Sequence, residues 1–281
     1  MPPSAAPSLF YPFRALGYVS EGAPFAVQRR GTETFVTVSA GKAWQIYNCD
    51  KLRLVMVGPQ FGDAPDIRAL AAKGDLTFAA VGRDVAVCRR SHRLCTFEGH
   101  AESITHLFVF GGDLISVCAG GRVLAWDISK DAMDYLDGKR SAASRDANRA
   151  SQAGDDPDDS DDDESDSDDS KSSSDQRSSR PREFALPHGF LPTAVCHPDT
   201  YLNKILLGAA DGRLCLLNVK TGSVIHVFEP DAMGNRSGAS VTCLENSPAL
   251  DTVAVGLSDG RVVVHNLKVD RTVVTFAHDT D

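Results

Sequence analysis

The sequence has no apolar run approaching the roughly 20 residues that a membrane helix requires. Its proline-rich opening, MPPSAAPSLFYPF, lacks the basic-then-apolar plan of a secretory leader. It has no C-x-x-C pair. Its seven cysteines, Cys49, Cys88, Cys95, Cys118, Cys196, Cys215 and Cys243, are odd in number and scattered, most of them within apolar runs where a free thiol packs as a small hydrophobe. That usage points to a reducing, intracellular compartment and argues against a disulfide framework. The acceptor-like Asn235-Arg236-Ser237 is then without consequence. The eight histidines never fall in an H-x-x-x-H or similar metal pattern. No G-x-x-x-x-G-K-[ST] loop exists to hold a nucleotide phosphate; Gly41-Lys42 is the nearest approach. No cofactor, metal, membrane or small-molecule substrate is expected.

Charge of one sign is concentrated in one place. Residues 151–176 hold eleven Asp and one Glu against one Lys, a local −11, so the rest of the chain is +2 although the whole is −9. The acidity therefore belongs to a segment and not to the folded surface. That segment has no aromatic residue and almost nothing apolar, so it cannot recover the entropy lost on ordering. Disorder is expected over 139–181.

What the chain does contain is repetition. AADGRLCLLNVK (209–220) returns 48 residues later as LSDGRVVVHNLK (257–268). The copy extends outward without a gap: Thr193–Cys196 matches Val241–Leu244, Ile205–Gly208 matches Val253–Gly256, and Val227-Phe228 matches Thr275-Phe276. A period of roughly 40–50 residues marks a repeat architecture. Each copy has four short runs rich in Val, Thr and Phe separated by turn residues, which favours strands over helices. Asp211-Gly212 and Asp259-Gly260 are tight-hairpin signals, since Gly tolerates the positive φ such turns need. Four antiparallel strands per repeat make a propeller blade.

Weaker copies lie upstream around Gly41-Lys42, Gly82-Arg83 and Gly121-Arg122. The predicted fold is an all-β propeller, partial or open, of about five blades at 24–60, 66–100, 101–192, 193–240 and 241–281. Such units bury their faces only against one another. The third is too long, and the acidic segment is expected in the hairpin between its third and fourth strands, with REFAL (182–186) as the returning strand. Long inserts in surface hairpins cost little, because closure entropy grows with the logarithm of length. Residues 1–23 precede the repeats, and Phe13 to Val19 within them is a candidate closing strand.

Gly99-His100, followed about 25 residues on by Trp126-Asp127, resembles the WD40 repeat. In that family a His, a strand Ser or Thr, a Trp and a turn Asp share a buried hydrogen-bond network. His100, Ser116 and Trp126 match, with Asp127 closing the strand, but the turn reads Ala119-Gly120-Gly121 and its Asp is missing. Asn218 and Asn266 take the place of the terminal Asp elsewhere. A narrower resemblance covers nearly the whole chain outside the acidic segment. FRALGYVS (13–20), VSAGKAWQIYNCDKLRLV (38–55), HPDTYLNKILLG (197–208), LCLLNVKTG (214–222) and SPALDTVAVGLSDGRVVVHNLKVDRTVVTF (247–276) are similar to the U3 small nucleolar RNA-associated protein 21 family, also called WD repeat-containing protein 36. The resemblance implies a nuclear, nucleolar, non-catalytic scaffold of the small-subunit processome. Its partners would be other processome proteins and the U3 RNA–pre-ribosomal RNA complex, and it would serve 18S RNA maturation. It also implies two tandem propellers and a helical C-terminal domain, of which this chain matches the N-terminal part. An adaptor of a ubiquitin ligase or chromatin complex is the competing reading.

Three groups of residues remain as candidates. Lys42, Arg83, Arg122, Arg213 and Arg261 follow the blade-turn glycines once per unit, which predicts a basic arc able to touch RNA or partners. The basic stretch RRSHR (89–93) is a similar candidate. Asp211 and Asp259 are read as turn stabilisers rather than a catalytic pair, and His100 with Ser116 as a structural lock rather than part of a triad. Ser160, Ser165 and Ser172, each followed by acidic residues, suit an acid-directed kinase, whose phosphates would add about −1.5 to −2 charges each.

Overall fold

The computed structural model describes residues 24–138, 180–247 and 251–277. The expected strand at Phe13–Val19 and the acidic segment lie outside them. Within them are five four-stranded antiparallel sheets, each built from four strands in chain order. The first holds β1 (Phe25–Arg30), β2 (Glu33–Ala40), β3 (Ala43–Asn48) and β4 (Arg53–Val57). The second holds β5 (Ile67–Lys73), β6 (Leu76–Val81), β7 (Asp84–Arg89) and β8 (His92–Phe97). The third holds β9 (Ile104–Phe110), β10 (Asp113–Cys118), β11 (Val123–Asp127) and the two-residue β12 (Arg182–Glu183), which pairs with Leu124 and Ala125 across the acidic segment. The fourth holds β13 (Pro192–Cys196), β14 (Lys204–Ala209), β15 (Leu214–Asn218) and β16 (Val224–Phe228); the fifth holds β17 (Val241–Asn246), β18 (Thr252–Leu257), β19 (Val262–Asn266) and β20 (Arg271–Phe276).

The core lies between sheets. Successive side chains of a strand face opposite ways, so each inner strand feeds two cores. In β10, Leu114 packs with Phe78, Val87 and Trp126 toward the second sheet, while Ile115 and Val117 pack with Ile205 and Leu207 toward the fourth. In β14, Leu206 turns instead toward Phe228, Val241 and Val253 of the fifth-sheet side. Both faces are covered, which is why the strand reads as an unbroken apolar run. The first strands stack in series, β1 on β5, β5 on β9, β9 on β13 and β13 on β17, and β17 makes no comparable contact with β1 among the described residues. The series is an open arc.

Its two ends show what a covering sheet does. Phe228 in β16 is fully buried, whereas Phe276, its counterpart 48 residues on in β20, is 58% exposed. Val273 and, at the other end, Phe25 are also exposed.

The turns divide into two kinds. The hairpins at Gly41-Lys42 and Gly82-Arg83 are two-residue loops with the glycine first, at φ 64° and 63°. Those at 119–121, 210–212 and 258–260 have three residues with the glycine last, at φ 80°, 83° and 84°. Asp259-Gly260 is thus the end of a three-residue loop closed by Leu257 N donating to Arg261 O, and not a two-residue turn as its dipeptide suggests. The αL glycine supplies the bulge that such loops require.

A helix, α1 (130–138), which the sequence reading did not foresee, follows β11 and ends before residue 139, where disorder was expected to begin. Its local signals are ordinary: Ser129 caps it, accepting from Ala132 N at 3.4 Å, and Ala132 and Met133 are buried against the second and third sheets. Arg89, the first residue of the RRSHR stretch, donates to Asp134 and Asp137 of α1 at 2.9 Å each. That arginine fixes the helix and is not a free cation.

Phe228→Ala should therefore cost about 3–5 kcal/mol, while Phe276→Ala should shift the urea midpoint little. Equal losses at these two sequence-equivalent positions would show that the fifth sheet is covered in solution.

Candidate functional site

Three of the positions singled out by sequence, His100, Ser116 and Trp126, come together in the third sheet. Ser116, in the middle of β10, is fully buried. Trp126 Nε1 donates to its Oγ at 2.8 Å, and His100 Nε2 lies 2.7 Å from the same oxygen. An indole nitrogen can only donate, so the Ser116 hydroxyl is free to give its proton to His100 Nε2. The neutral ring then carries its hydrogen on Nδ1, which is buried and has no hydrogen-bond partner. This is the gap left by the glycine turn at 119–121. Trp126 stacks on Phe97 with 4.8 Å between ring centroids. Burial first, and then the Arg122 guanidinium, lower the His100 pKa to about 4, so the ring is neutral at pH 7.

Asp127 stands outside this network. Strand alternation that turns Trp126 inward turns Asp127 outward, and its carboxylate accepts from Ser129 N at 2.8 Å. Asn218 does the same for Lys220 N and Asn266 for Lys268 N, at 2.9 and 3.0 Å. The terminal Asp or Asn of the last three units is a turn former.

The recurrent cations occupy two different positions. Lys42 and Arg83 sit at the tips of two-residue hairpins. Arg122, Arg213 and Arg261 stand after the three-residue loops, and each is tied twice. Each donates to a carbonyl of the linker entering its own sheet: Arg122 to Gly99 O at 2.6 Å, Arg213 to His188 O at 3.1 Å, Arg261 to Gly234 O at 3.1 Å. Each also holds a carboxylate. Arg213 takes Asp211 at 2.6 Å and Arg261 takes Asp259 at 2.9 Å, from two residues back in the turn. In the third sheet that turn position is Gly120, and Arg122 pairs bidentately with Glu183 of β12 instead, at 2.7 Å. The arginine hydrogen bonds hold the Asp259 and Glu183 carboxyls below the usual carboxylate range. Three members of the expected basic arc are thus charge-compensated clamps on the linkers. Glu183 gave no sign of this role in the sequence, because its partner lies 61 residues away.

The turn glycines complete the linkage. A Cβ on Gly212 would overlap the Asn235 amide nitrogen and stand 2.8 Å from Ala239 O, both in the linker to the fifth sheet. One on Gly121 would meet Leu191 of the linker to the fourth and Pro192 at the start of β13. Gly260 meets nothing within 4 Å.

Chemistry has little foothold. Among the described residues no three His, Cys, Asp or Glu groups could hold a metal ion. Burial pushes the thiols of Cys88, Cys95 and Cys215 up to about 11 and that of Cys196 to about 12, away from nucleophilic range. A grouping not foreseen joins the last two sheets: Asp270 Oδ2 lies 3.1 Å from His226 Nε2 and Oδ1 lies 3.2 Å from Nε2 of the buried His265. Phe228 packs edge-on against both rings. Two of the clefts beside the second sheet take in charged residues already named. One, of about 290 Å³, brings Arg83, Asp84, Glu98 and His100 together. The other, of about 130 Å³, opens between the first and second sheets beside Arg30 and Arg90. Ser160, Ser165 and Ser172 lie outside the described residues.

Comparisons with known proteins bear on this arrangement. Residues 165–281 match the family model of the WDR36/Utp21 first β-propeller. The chain is 32% identical over 277 residues to human WD repeat-containing protein 36, covering 98% of this chain and 25% of that protein. It is 30% identical to the U3 small nucleolar RNA-associated protein 21 homolog of Schizosaccharomyces pombe (96% and 25% covered) and 26% identical to U3 small nucleolar RNA-associated protein 21 of Saccharomyces cerevisiae (95% and 24%). The chain spans about a quarter of the length of these relatives. Among solved structures, that of the computationally designed Ika8 protein superposes with a TM-score of 0.59 at 17% identity, over 92% of this chain and 63% of that one, a likeness of fold alone.

Two outcomes follow. Ser116→Ala leaves two buried ring nitrogens unpaired and should cost about 2–4 kcal/mol at about 1–2 each, measured by urea unfolding. Because the folded His100 resists protonation until about pH 4 whereas the unfolded ring takes a proton near 6.5, the native state should lose stability as pH falls from 6.5 to 4. His100→Gln should flatten that decline. Separately, Gly260→Ala should cost about 1–2 kcal/mol from positive φ alone, and Gly212→Ala clearly more, because the linker must also move.

Proposed function

We propose, from the chain's match to the WDR36/Utp21 family, that it is a non-catalytic β-propeller scaffold of the U3 ribonucleoprotein and small-subunit processome, working in the nucleolus on 18S RNA maturation. The observation that carries the reading is the similarity, along almost the entire chain, to relatives named for their association with U3 small nucleolar RNA. The module we assign runs over 24–281 in the five units given above, with 1–23 appended and 139–181 inserted.

The geometry favours protein contacts over direct RNA contacts. Arg122, Arg213 and Arg261 have their charge compensated and their donors committed to the linkers. Lys42 and Arg83 have no carboxylate within ion-pair distance among the described residues, and they remain the members of the arc open to phosphate. The −11 segment at 151–176 would attract basic partners, more strongly once Ser160, Ser165 and Ser172 are phosphorylated.

The test is recovery of the tagged chain from its native cells. U3 RNA and processome proteins are expected in the eluate, and Lys42→Glu with Arg83→Glu should leave them within about twofold, since one or two phosphate contacts carry little of a protein-held assembly. Recovery of ubiquitin-ligase subunits or histones without U3 RNA would overturn the proposal.

A further inference from the structure

Six hairpins among the described residues close with two-residue loops, and in all six the first loop residue has positive φ. Five place glycine there: Gly31, Gly41, Gly74, Gly82 and Gly111, at φ 54–64°. The sixth, between β7 and β8, places Arg90 there at φ 54°. A side chain at this φ is strained where glycine is not. Backbone strain held against local preference concentrates at functional sites, so the question is what the Arg90 side chain does in exchange.

Arg90 lines the cleft of about 130 Å³ between the first and second sheets. The cleft has apolar walls, Phe35 and Ile46 of the inner strands and Val55 and Met56 of β4. Arg30, the last residue of β1, stands at the same cleft. Both arginines are exposed, and neither has a carboxylate within ion-pair distance among the described residues. Asp75 is also there, but it faces Arg89 at 3.7 Å and its charge is partly met. The cleft is close in size to an engineered cavity of about 150 Å³ that admits benzene. It therefore takes one aliphatic or phenyl side chain, with cations at its mouth.

We propose that this cleft is a docking site for a partner polypeptide that inserts one apolar side chain between β4 and the β7–β8 hairpin and sets flanking Asp or Glu residues against Arg30 and Arg90. Apolar walls give a phosphate backbone nothing, which favours peptide over RNA. The chain's own acidic segment has the charge but, at residues 151–176, no apolar side chain larger than Ala or Pro to fill the cleft, and residues 1–20, though apolar in part, carry no Asp or Glu to meet the two arginines, which favours a partner protein as the occupant. The inference rests on the reading of this chain as a protein-binding scaffold.

The probe is a fluorescent acidic pentapeptide, acetyl-Asp-Glu-Leu-Asp-Glu-amide, titrated into the full chain by anisotropy. Replacing its Leu by Ser, or its acidic residues by amides, should each weaken binding at least tenfold. Arg90→Gly should do the same while leaving thermal stability equal or higher, because glycine suits φ 54°. Arg30→Gln should weaken binding without unfolding the protein. No binding, binding indifferent to Leu, or Arg90→Gly that destabilises the chain and binds normally would overturn the inference. So would oligouridylate binding that depends on Arg90 and competes with the peptide. If U3 RNA is recovered with the Arg90→Gly chain while peptide binding to the unaltered chain is absent, the scaffold reading survives and the cleft assignment fails. If the peptide binds as described but U3 RNA is never recovered, the cleft assignment stands and the processome reading fails.

Discussion

A four-stranded sheet with two apolar faces cannot stand in water alone, and every other feature of this protein follows from that constraint. Burial contributes about 25 cal/mol per Å², but here it is available only through a neighbour. Hence the four clusters of buried side chains each straddle two sheets. Inner strands such as β10 and β14 are apolar on both sides, and the conspicuous exposed hydrophobics gather on the terminal sheets.

Stacking sheets fixes distances between them, and the polar layer is arranged to hold those distances. Three arginines reach back from the hairpin turns to the linker carbonyls, and a carboxylate steadies each guanidinium. Where the turn lacks its aspartate, Glu183 of the returning strand supplies the charge. Beneath them Ser116 satisfies Trp126 and His100 together. Apart from the unpaired Nδ1 of His100, these groups are committed to structural contacts. Lys42 and Arg83 at their hairpin tips and the cleft at Arg90 carry no such commitment among the described residues.

The site was partly legible. The resemblance to the WD40 repeat picked out His100, Ser116 and Trp126, and the unpaired His100 nitrogen accompanies a turn without aspartate. Asp211 and Asp259 act as turn stabilisers, visible because partner and acceptor lie two residues apart. The five cations all stand at the hairpin between the second and third strands of their sheets, but their side chains do not share one environment. Gly-Lys and Gly-Arg dipeptides look alike in one dimension, yet the glycine opens a two-residue loop in the first two sheets and ends a three-residue loop in the last three. Glu183 and the α1 carboxylates bound by Arg89 were missed because their partners are distant in sequence, as is His226 from Asp270.

By itself the sequence determined the repeat, the strand runs and the turn positions, because these depend on residue type and on neighbours a few positions away. It could not decide environment. Phe228 and Phe276, or Gly212 and Gly260, are the same letter at the same place in the repeat. One of each pair lies against a following sheet and its linker, and the other does not. Burial, steric demand and the availability of a side chain for binding are properties of what stands opposite, and only the stacking of the sheets establishes that.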